Sequence, residues 1–343
     1  MNKHTEDSSN QEEDLRNGPE ESGLESHLVT EADVPAKSDD SFERQLEATL
    51  QETEQAVMSL KELSLDPDQA RSWSAARSVI EEFKPVPWFI WRLSNFVLGR
   101  PGSIGDVSEG LVFGLRRLMF ALGSDETVGV GEKVNSVRKA LSVVESDVIA
   151  SASVIHAVCR RLASKEHERI WKPILDDALL RARIGHDVGA RCPGFGSGRG
   201  MLSGFAGRAG LAILISLGDL NKARRSLELL ATGRTIKETG FLVYECDPLQ
   251  VSAMMLTAAG IGRDAAFGTV NFSVGGQFES LETDEQRRWL AAFEIIENMR
   301  MVGGTNVTDE AWAQMNFDEE AQVELRATVK TLVRRGHGWQ WMM

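Results

Sequence analysis

The sequence has few cysteines, and their arrangement fits neither a disulfide framework nor a zinc cluster. The three cysteines, Cys159, Cys192 and Cys246, are odd in number and widely spaced, with no Cys-x-x-Cys pair among them. The N-terminal residues also lack the apolar segment typical of a secretory signal. Together these absences favour a reducing compartment, and we expect a cytoplasmic protein.

Long hydrophobic runs and surplus basic charge are missing as well. The most apolar window, residues 201–217, is interrupted by Arg208 and several glycines, so it falls short of a membrane-spanning helix. The formal net charge is −13, and residues 1–40 contain twelve acidic but only three basic side chains. Because an acidic segment repels phosphate backbones, the sequence indicates neither a membrane nor a nucleic-acid partner.

The first part of the chain is polar and is followed by one amphipathic stripe. Residues 1–41 have too few large apolar side chains to offset the entropy of ordering, so they are predicted to form a disordered acidic tail. Residues 42–69 are predicted to form an amphipathic helix and a linker. Its stripe fits either packing on the same domain or a short coiled coil with a partner, and it consists of Leu46, Leu50, Thr53, Val57 and Leu60.

The remainder of the sequence predicts an all-α fold. From residue 70 onward apolar residues recur at helical spacing, and no run alternates β-branched with polar residues. We place an all-helical domain at residues 70–275 and a helical extension at 276–343. The predicted helices cover residues 73–83, 87–98, 107–122, 135–145, 147–163, 168–188, 202–217, 220–231, 248–259, 284–301 and 318–335.

Several helix boundaries carry their own signals. Asp219 and Asp247 are predicted to cap the helices that follow them, and Thr283 has capping-box spacing to Gln286. Gly218 is predicted to end a helix in the left-handed conformation.

Alternating glycines over residues 194–200 could in principle cradle a phosphate. The stretch lacks G-x-G-x-x-G, a Walker lysine and a preceding strand, so we interpret it as a flexible loop joining two helices. Arg191 and Arg199 flank it, so a weak anion contact remains possible.

The acidic pair Asp176-Asp177 falls off the apolar stripes and is interpreted as a solvated helix face. Terminal Trp339 and Trp341 fit an anchor for the last helix, or stacking on a base or a partner.

Three landmarks carry a family resemblance. Ile170-Trp171-Lys172-Pro173 opens a long helix, Gly204-Phe-Ala-Gly-Arg-Ala-Gly210 leads an apolar run, and Tyr244-Glu-Cys-Asp-Pro-Leu-Gln-Val251 opens another helix. In order and character they resemble the HDOD family, a non-catalytic offshoot of the HD-type metal-dependent phosphohydrolases. The resemblance covers roughly residues 73–275 and implies a multi-helix HDOD-like bundle.

The same resemblance implies a degenerate site at Trp171, Pro173, Gly207, Arg208 and Pro248. Pro173, Gly207, Arg208 and Pro248 fall where the hydrolases have metal ligands. Glycine and proline have no ligating side chain, and arginine carries a permanent positive charge. The resemblance therefore implies no metal, no cofactor and no catalytic residue. It implies a bacterial signal-transduction protein that binds a protein partner or a small signalling ligand, with a homo-oligomer left open.

Two alternatives remain at this stage. One is a metal-dependent phosphohydrolase with a relocated site, because His186-Asp187 contains the doublet for which HD hydrolases are named. His156 and His167 lack zinc-type spacing, so we interpret all three histidines as helix-surface or interface residues. The other alternative is a helical scaffold unrelated to the HD superfamily.

Overall fold

The computed structural model describes residues 39–58, 67–273 and 275–343. These residues form fifteen α-helices and no strand, so the all-α prediction is confirmed. Nearly all of the predicted acidic tail, and Leu60 of the amphipathic stripe, lie outside the described residues. The helices are α1 Asp39–Met58, α2 Pro67–Phe83, α3 Trp88–Leu98, α4 Arg116–Ser124, α5 Val137–Leu141, α6 Ser146–Ala163, α7 Glu168–Ala190, α8 Gly196–Leu217, α9 Leu220–Ala231, α10 Ile236–Tyr244, α11 Pro248–Ala258, α12 Arg263–Ser273, α13 Asp284–Val302, α14 Asp309–Gln314 and α15 Glu319–Arg335.

Two predicted helices are shorter than expected, and three helices were not predicted. The segment Glu109–Leu115 is a 3₁₀ helix rather than the first part of α4. It contains Gly110 and Gly114, and glycine disfavours the α-helix. The prediction over residues 135–145 reduces to α5, a single short helix. The additional helices are α10, α12 and α14.

Helix α1 packs on its own domain. Phe42, Leu46, Leu50 and Thr53 are buried, and α1 lies against α2 and α11. The apolar stripe is therefore covered by the same chain over these residues, as in the first of the two interpretations.

The predicted caps are confirmed, with one exception. Asp219 accepts from the Lys222 amide, Asp247 accepts from the Leu249 amide, and Thr283 forms a capping box with Gln286. Gly218, however, has φ −75° and ψ 164°, so the prediction of a left-handed residue is wrong. The chain passes directly into the cap of α9, which needs extended backbone.

Helices α7 and α8 are antiparallel and pack unusually closely along one line. A Cβ on Gly196 would approach Asp147, whereas a Cβ on Gly189 would collide with the carbonyl of Gly196. Likewise, a Cβ on Gly200 would collide with the carbonyl of Gly185, and one on Gly204 with that of Arg181. We call this line of contacts the α7–α8 seam.

The seam corrects the interpretation of the alternating glycines as a flexible loop. From Gly196 onward they lie inside α8, where Gly200 and Gly204 are four residues apart on the face toward α7. Gly198 faces α6, where its amide donates to Asp147 Oδ2 at 2.7 Å. Gly198 and Gly200 are therefore two residues apart in the sequence because they lie on two different faces of α8. On each face a neighbouring helix approaches the backbone of α8 closely, which requires glycine.

Helix α8 is long and apolar enough, by length and composition, to cross a membrane. Most of it is buried inside the protein, and the core helix of a globular domain meets the same criteria.

The C-terminal tryptophans contact the domain. Trp339 is buried, and the Trp341 indole donates to Asp125 Oδ2 at 3.0 Å. These contacts anchor the last residues on the domain.

Candidate functional site

Five charged side chains meet where α7, α8 and α13 come together. We call Asp177, Arg181, Arg208, Glu297 and Arg300 the arginine–carboxylate cluster. Asp177 accepts from Arg181 Nε at 2.8 Å, from Arg208 Nε at 3.1 Å and from Arg300 Nε at 2.8 Å. Glu297 accepts from Arg208 Nη2 at 3.0 Å and also from Arg181. The cluster thus joins three helices through two carboxylates.

Helix geometry explains how these residues meet. Asp177 and Arg181 are four residues apart on α7, and Glu297 and Arg300 are three apart on α13, so each pair shares a helix face. Arg208 comes one turn after Gly204 on α8, and it faces Asp177, one turn before Arg181 on α7. The ion pair between Arg208 and Asp177 therefore continues the α7–α8 seam by one more step.

Gly207 leaves space beside the cluster. A Cβ at Gly207 would lie 3.7 Å from Arg181 Cδ and 3.9 Å from Glu297 Oε2, which is ordinary contact distance. The carbonyl of Gly207 accepts from Arg208 Nη1 at 2.8 Å. This position therefore contributes a backbone acceptor to the cluster and no side chain.

The cluster has three guanidinium groups and two carboxylates, so its formal charge is positive. Arg181 is 1% exposed and Arg208 11% exposed. Burial and the neighbouring Arg208 lower the pKa of Arg181, while Glu297 and Asp177 oppose that change. Burial would raise the pKa of Asp177, but Arg181, Arg208 and Arg300 outweigh it and hold that pKa below its ordinary value.

The remaining positions of the predicted degenerate site lie on α7 and α11. Trp171 is buried in α7, and its indole donates to the Glu166 carbonyl at 2.8 Å. Pro173 lies inside α7 one turn before Asp177 and is exposed. Pro248 is the buried first residue of α11, and its carbonyl lies so close to Gly210 that a Cβ there would collide with it. The prolines have no side-chain donor or acceptor and take no part in the cluster's ion pairs.

These residues do not fit a divalent metal ion. At the doublet position implied by the resemblance stand a glycine and a guanidinium, and the nearby Asp177 and Glu297 are already paired with arginines. Over residues 39–58, 67–273 and 275–343, no group of three or more His, Cys, Asp or Glu side chains is placed to hold a metal. Helix α8 therefore presents a cation at the position where the resemblance would place a metal ligand.

The doublet His186-Asp187 has other partners. His186 Nδ1 lies 3.1 Å from Asp187 Oδ1, and its ring packs edge-on against Trp339. Asp187 is also paired with Arg183. His156 Nδ1 lies 2.9 Å from the carbonyl of Met342. These contacts are typical of interface histidines that tie helices together.

The two arginines beside the glycine run are also occupied. Arg199 is buried, lies 3.0 Å from Glu285 Oε1 and donates to the carbonyls of Leu98, Arg100 and Ser103. Arg191 pairs with Glu324. The weak anion contact left open for this stretch is therefore not supported, because both guanidinium groups already have protein partners.

The interpretation of Asp177 as part of a solvated face is wrong, and Arg181, Glu297 and Arg300 were missed. Asp177 is the acceptor for three arginines and is only 22% exposed, whereas the adjacent Asp176 is 46% exposed. The i, i+4 spacing of Asp177 and Arg181 was visible in the sequence. The contribution of α13 was not, because it depends on how that helix packs against α7 and α8.

Replacing Asp177 with asparagine is expected to lower the free energy of unfolding at pH 7 by about 1–3 kcal/mol, because buried guanidinium groups lose a charged acceptor. A carboxyl whose folded-state pKa is depressed stabilises the fold above its unfolded value, 3.8 for aspartate, and this stability is lost as the pH falls through the folded-state pKa. As the pH is lowered below about 4, the free energy of unfolding of the variant should therefore fall less than that of the wild type. Asp176→Asn is the matched control, and denaturant unfolding at several pH values is the measurement. Equal acid sensitivity of wild type and Asp177→Asn would contradict this role.

Comparison with known proteins bears on the fold. No model of a protein family and no curated protein matches this sequence. The structure is similar to the crystal structure of an HDOD domain protein with unknown function from Geobacter sulfurreducens. The TM-score is 0.54 at 14% sequence identity, and the match covers 76% of this chain and 98% of that one. A likeness at this identity establishes the architecture, which agrees with the all-helical bundle described above. The chain therefore has an HDOD-like fold.

Proposed function

We propose that the protein is a non-catalytic HDOD-like regulator that acts in signal transduction by binding a protein partner or a small ligand. The observation that carries the proposal is the ion pairing of Arg208, at the doublet position, with Asp177 and Glu297. A permanent cation in that place opposes a divalent metal, and its carboxylate partners are already engaged.

What the arginine–carboxylate cluster does instead is structural. It fastens α7, α8 and α13 to one another with charge-assisted hydrogen bonds between partly buried groups. A domain in which ion pairs occupy the position of a metal site keeps its helical packing. Its surface stays available for binding a partner or a ligand. The proposal includes a cytoplasmic location and excludes a metal, a cofactor, a membrane and nucleic acid as partners.

We expect the purified full-length chain to hydrolyse neither phosphomonoesters nor cyclic nucleotides, with or without added Mn²⁺. The physical reason is that activating water requires a metal held by side-chain ligands, and the cluster offers it a guanidinium instead. The assay compares wild type with Asp177→Asn and with His186→Ala prepared identically, so that a contaminating hydrolase gives equal rates in all three. Turnover in the wild type that disappears in either variant would contradict the proposal.

Binding is tested separately, by recovering the tagged full-length chain from its native cells and analysing both proteins and small molecules that accompany it. A protein recovered in comparable molar amount supports a protein partner, whereas a small molecule released on denaturation supports a ligand. We expect one of these to be retained by the wild type. Recovery of neither, from cells that express the chain at its natural level, would contradict a binding function.

A further inference from the structure

An exposed surface of α3 and the neighbouring 3₁₀ helix combines aromatic and basic side chains. Phe89, Arg92 and Phe96 lie on one flank of α3, because they follow one another at helical spacing. Phe113 lies next to Gly114, whose Cβ position is 3.8 Å from the Phe89 ring. Arg116 follows at the start of α4. We call these five residues the basic–aromatic face.

The aromatic part of this face is unusually open to solvent. Phe113 is 74% exposed, Phe96 55% and Phe89 40%. Single exposed apolar residues are common, but three phenylalanines on adjoining elements are typical of a surface that something covers.

The basic part of the face forms no ion pair within the part of the chain that the structure describes. Arg92, Arg116 and the adjacent Arg117 are exposed, and none of them forms an ion pair with another described residue. Arg92 lies over the Trp88 ring at 5.5 Å, and Arg116 over the Phe120 ring at 5.9 Å. In a protein of net charge −13, an exposed group of cations without acidic partners fits an acidic occupant.

The described chain begins next to helix α3. Phe42, near the start of α1, packs on the Trp91 ring of α3 at a centroid distance of 5.6 Å. Glu43 pairs with Lys84, just before α3. The start of α1 therefore lies against α3, on a different side of that helix from Phe89 and Phe96.

The sequence before α1 has the complementary chemistry. Residues 1–38 contain ten acidic and three basic side chains. Leu24 and Leu28 are four residues apart and are followed closely by Glu31 and Asp33, which combines an apolar pair with negative charge. The ten residues 29–38 can span about 33 Å when extended, which is far more than the width of one helix.

We propose that the chain's own N-terminal segment docks on the basic–aromatic face through residues 24–34. The leucines contact the exposed phenylalanines, and the carboxylates pair with Arg92 and Arg116. A polar segment can bind in this way, because tethering gives it an effective concentration on the order of millimolar. This inference stands apart from the proposed function, and it assigns an occupant to the exposed surface of α3.

The test uses the full-length chain with a photo-crosslinking residue, Phe113→p-benzoylphenylalanine, followed by mass spectrometry of the linked peptides. The matched control is Val323→p-benzoylphenylalanine on α15, since Val323 is a similarly exposed apolar residue at 61%. We expect the label at position 113 to link to residues 1–38 of the same chain, and the label at 323 not to do so. Links only to a second copy, links only elsewhere in the chain, or no link above the control would overturn the proposal.

A charge variant separates specific docking from the nearness of any tethered segment. Arg92→Glu with Arg116→Glu should reduce the yield of the link by at least about fivefold, since opposite charges become like charges. Arg224→Glu, on exposed α9, should leave the yield unchanged. An equal yield in the double variant and the wild type would overturn the proposal. Circular dichroism checks that each variant keeps its helices.

Discussion

Replacing Trp171 with alanine is expected to lower the free energy of unfolding by about 3–5 kcal/mol, the usual cost of truncating a buried tryptophan. Trp171 is 3% exposed, and its indole donates to the Glu166 carbonyl. It opens the buried stripe of α7, which continues through Leu175, Ala178, Leu179 and Ala182. The change would leave a large cavity and remove a hydrogen bond to the start of the helix.

Denaturant unfolding measures this effect, with Lys172→Ala as the control on the next residue. Lys172 is exposed and makes only an i, i+4 pair with Glu168, so its removal should cost less than about 0.5 kcal/mol. A midpoint for Trp171→Ala equal to that of the wild type would contradict the register of α7 on which the degenerate site is placed.

Replacing Gly200 with alanine is expected to destabilise the protein by about 3 kcal/mol, at the upper end of what overpacking costs. The added Cβ would collide with the carbonyl of Gly185, so the backbones of α7 and α8 would have to separate. Helix propensity alone would favour alanine over glycine by about 1 kcal/mol. A net loss of stability would therefore come from the collision between the two helices. Separation at Gly200 should also loosen the ion pair of Asp177 with Arg208, two steps further along the seam.

The control for the seam is Gly110→Ala. Gly110 lies in the 3₁₀ segment, has no neighbour within 4 Å of its Cβ position and does not have a positive φ. Its replacement should change the free energy of unfolding by no more than about 0.5 kcal/mol. Thermal or denaturant unfolding of both variants decides the matter, and equal stability of Gly200→Ala and wild type would contradict close packing of α7 against α8.

The helices were predictable from the sequence where an apolar stripe and a cap coincide. α9 begins and ends at the predicted residues because Asp219 caps it, and both signals are local. Helix α10 was missed although Thr235 and Glu238 form a capping box, a signal that the sequence contains. The glycine run was misinterpreted as a loop because glycines at every second position can also lie on two different faces of one helix. Only the neighbouring helices, which the sequence does not reveal, distinguish the two cases.

The candidate site was predictable only in part. The family resemblance placed Gly207, Arg208 and Pro248 at ligand positions, and their inability to bind a metal there follows from side-chain chemistry alone. That Arg208 reaches Asp177 depends on the step of the α7–α8 seam, and that Glu297 joins them depends on the packing of α13. Asp177 and Arg300 are 123 positions apart and meet through tertiary packing, which periodicity in one helix does not reveal.

The most direct test of an HDOD-like site filled by arginine ion pairs is the metal content of the purified full-length chain. Elemental analysis by mass spectrometry is made on the protein as isolated and after incubation with Mn²⁺, Fe²⁺ or Zn²⁺ followed by removal of free ions. We predict far less than one equivalent of any divalent metal per chain, because Arg208 and its paired carboxylates leave no ligand set. About one equivalent of a single metal, lost together with stability in Asp177→Asn, would contradict it.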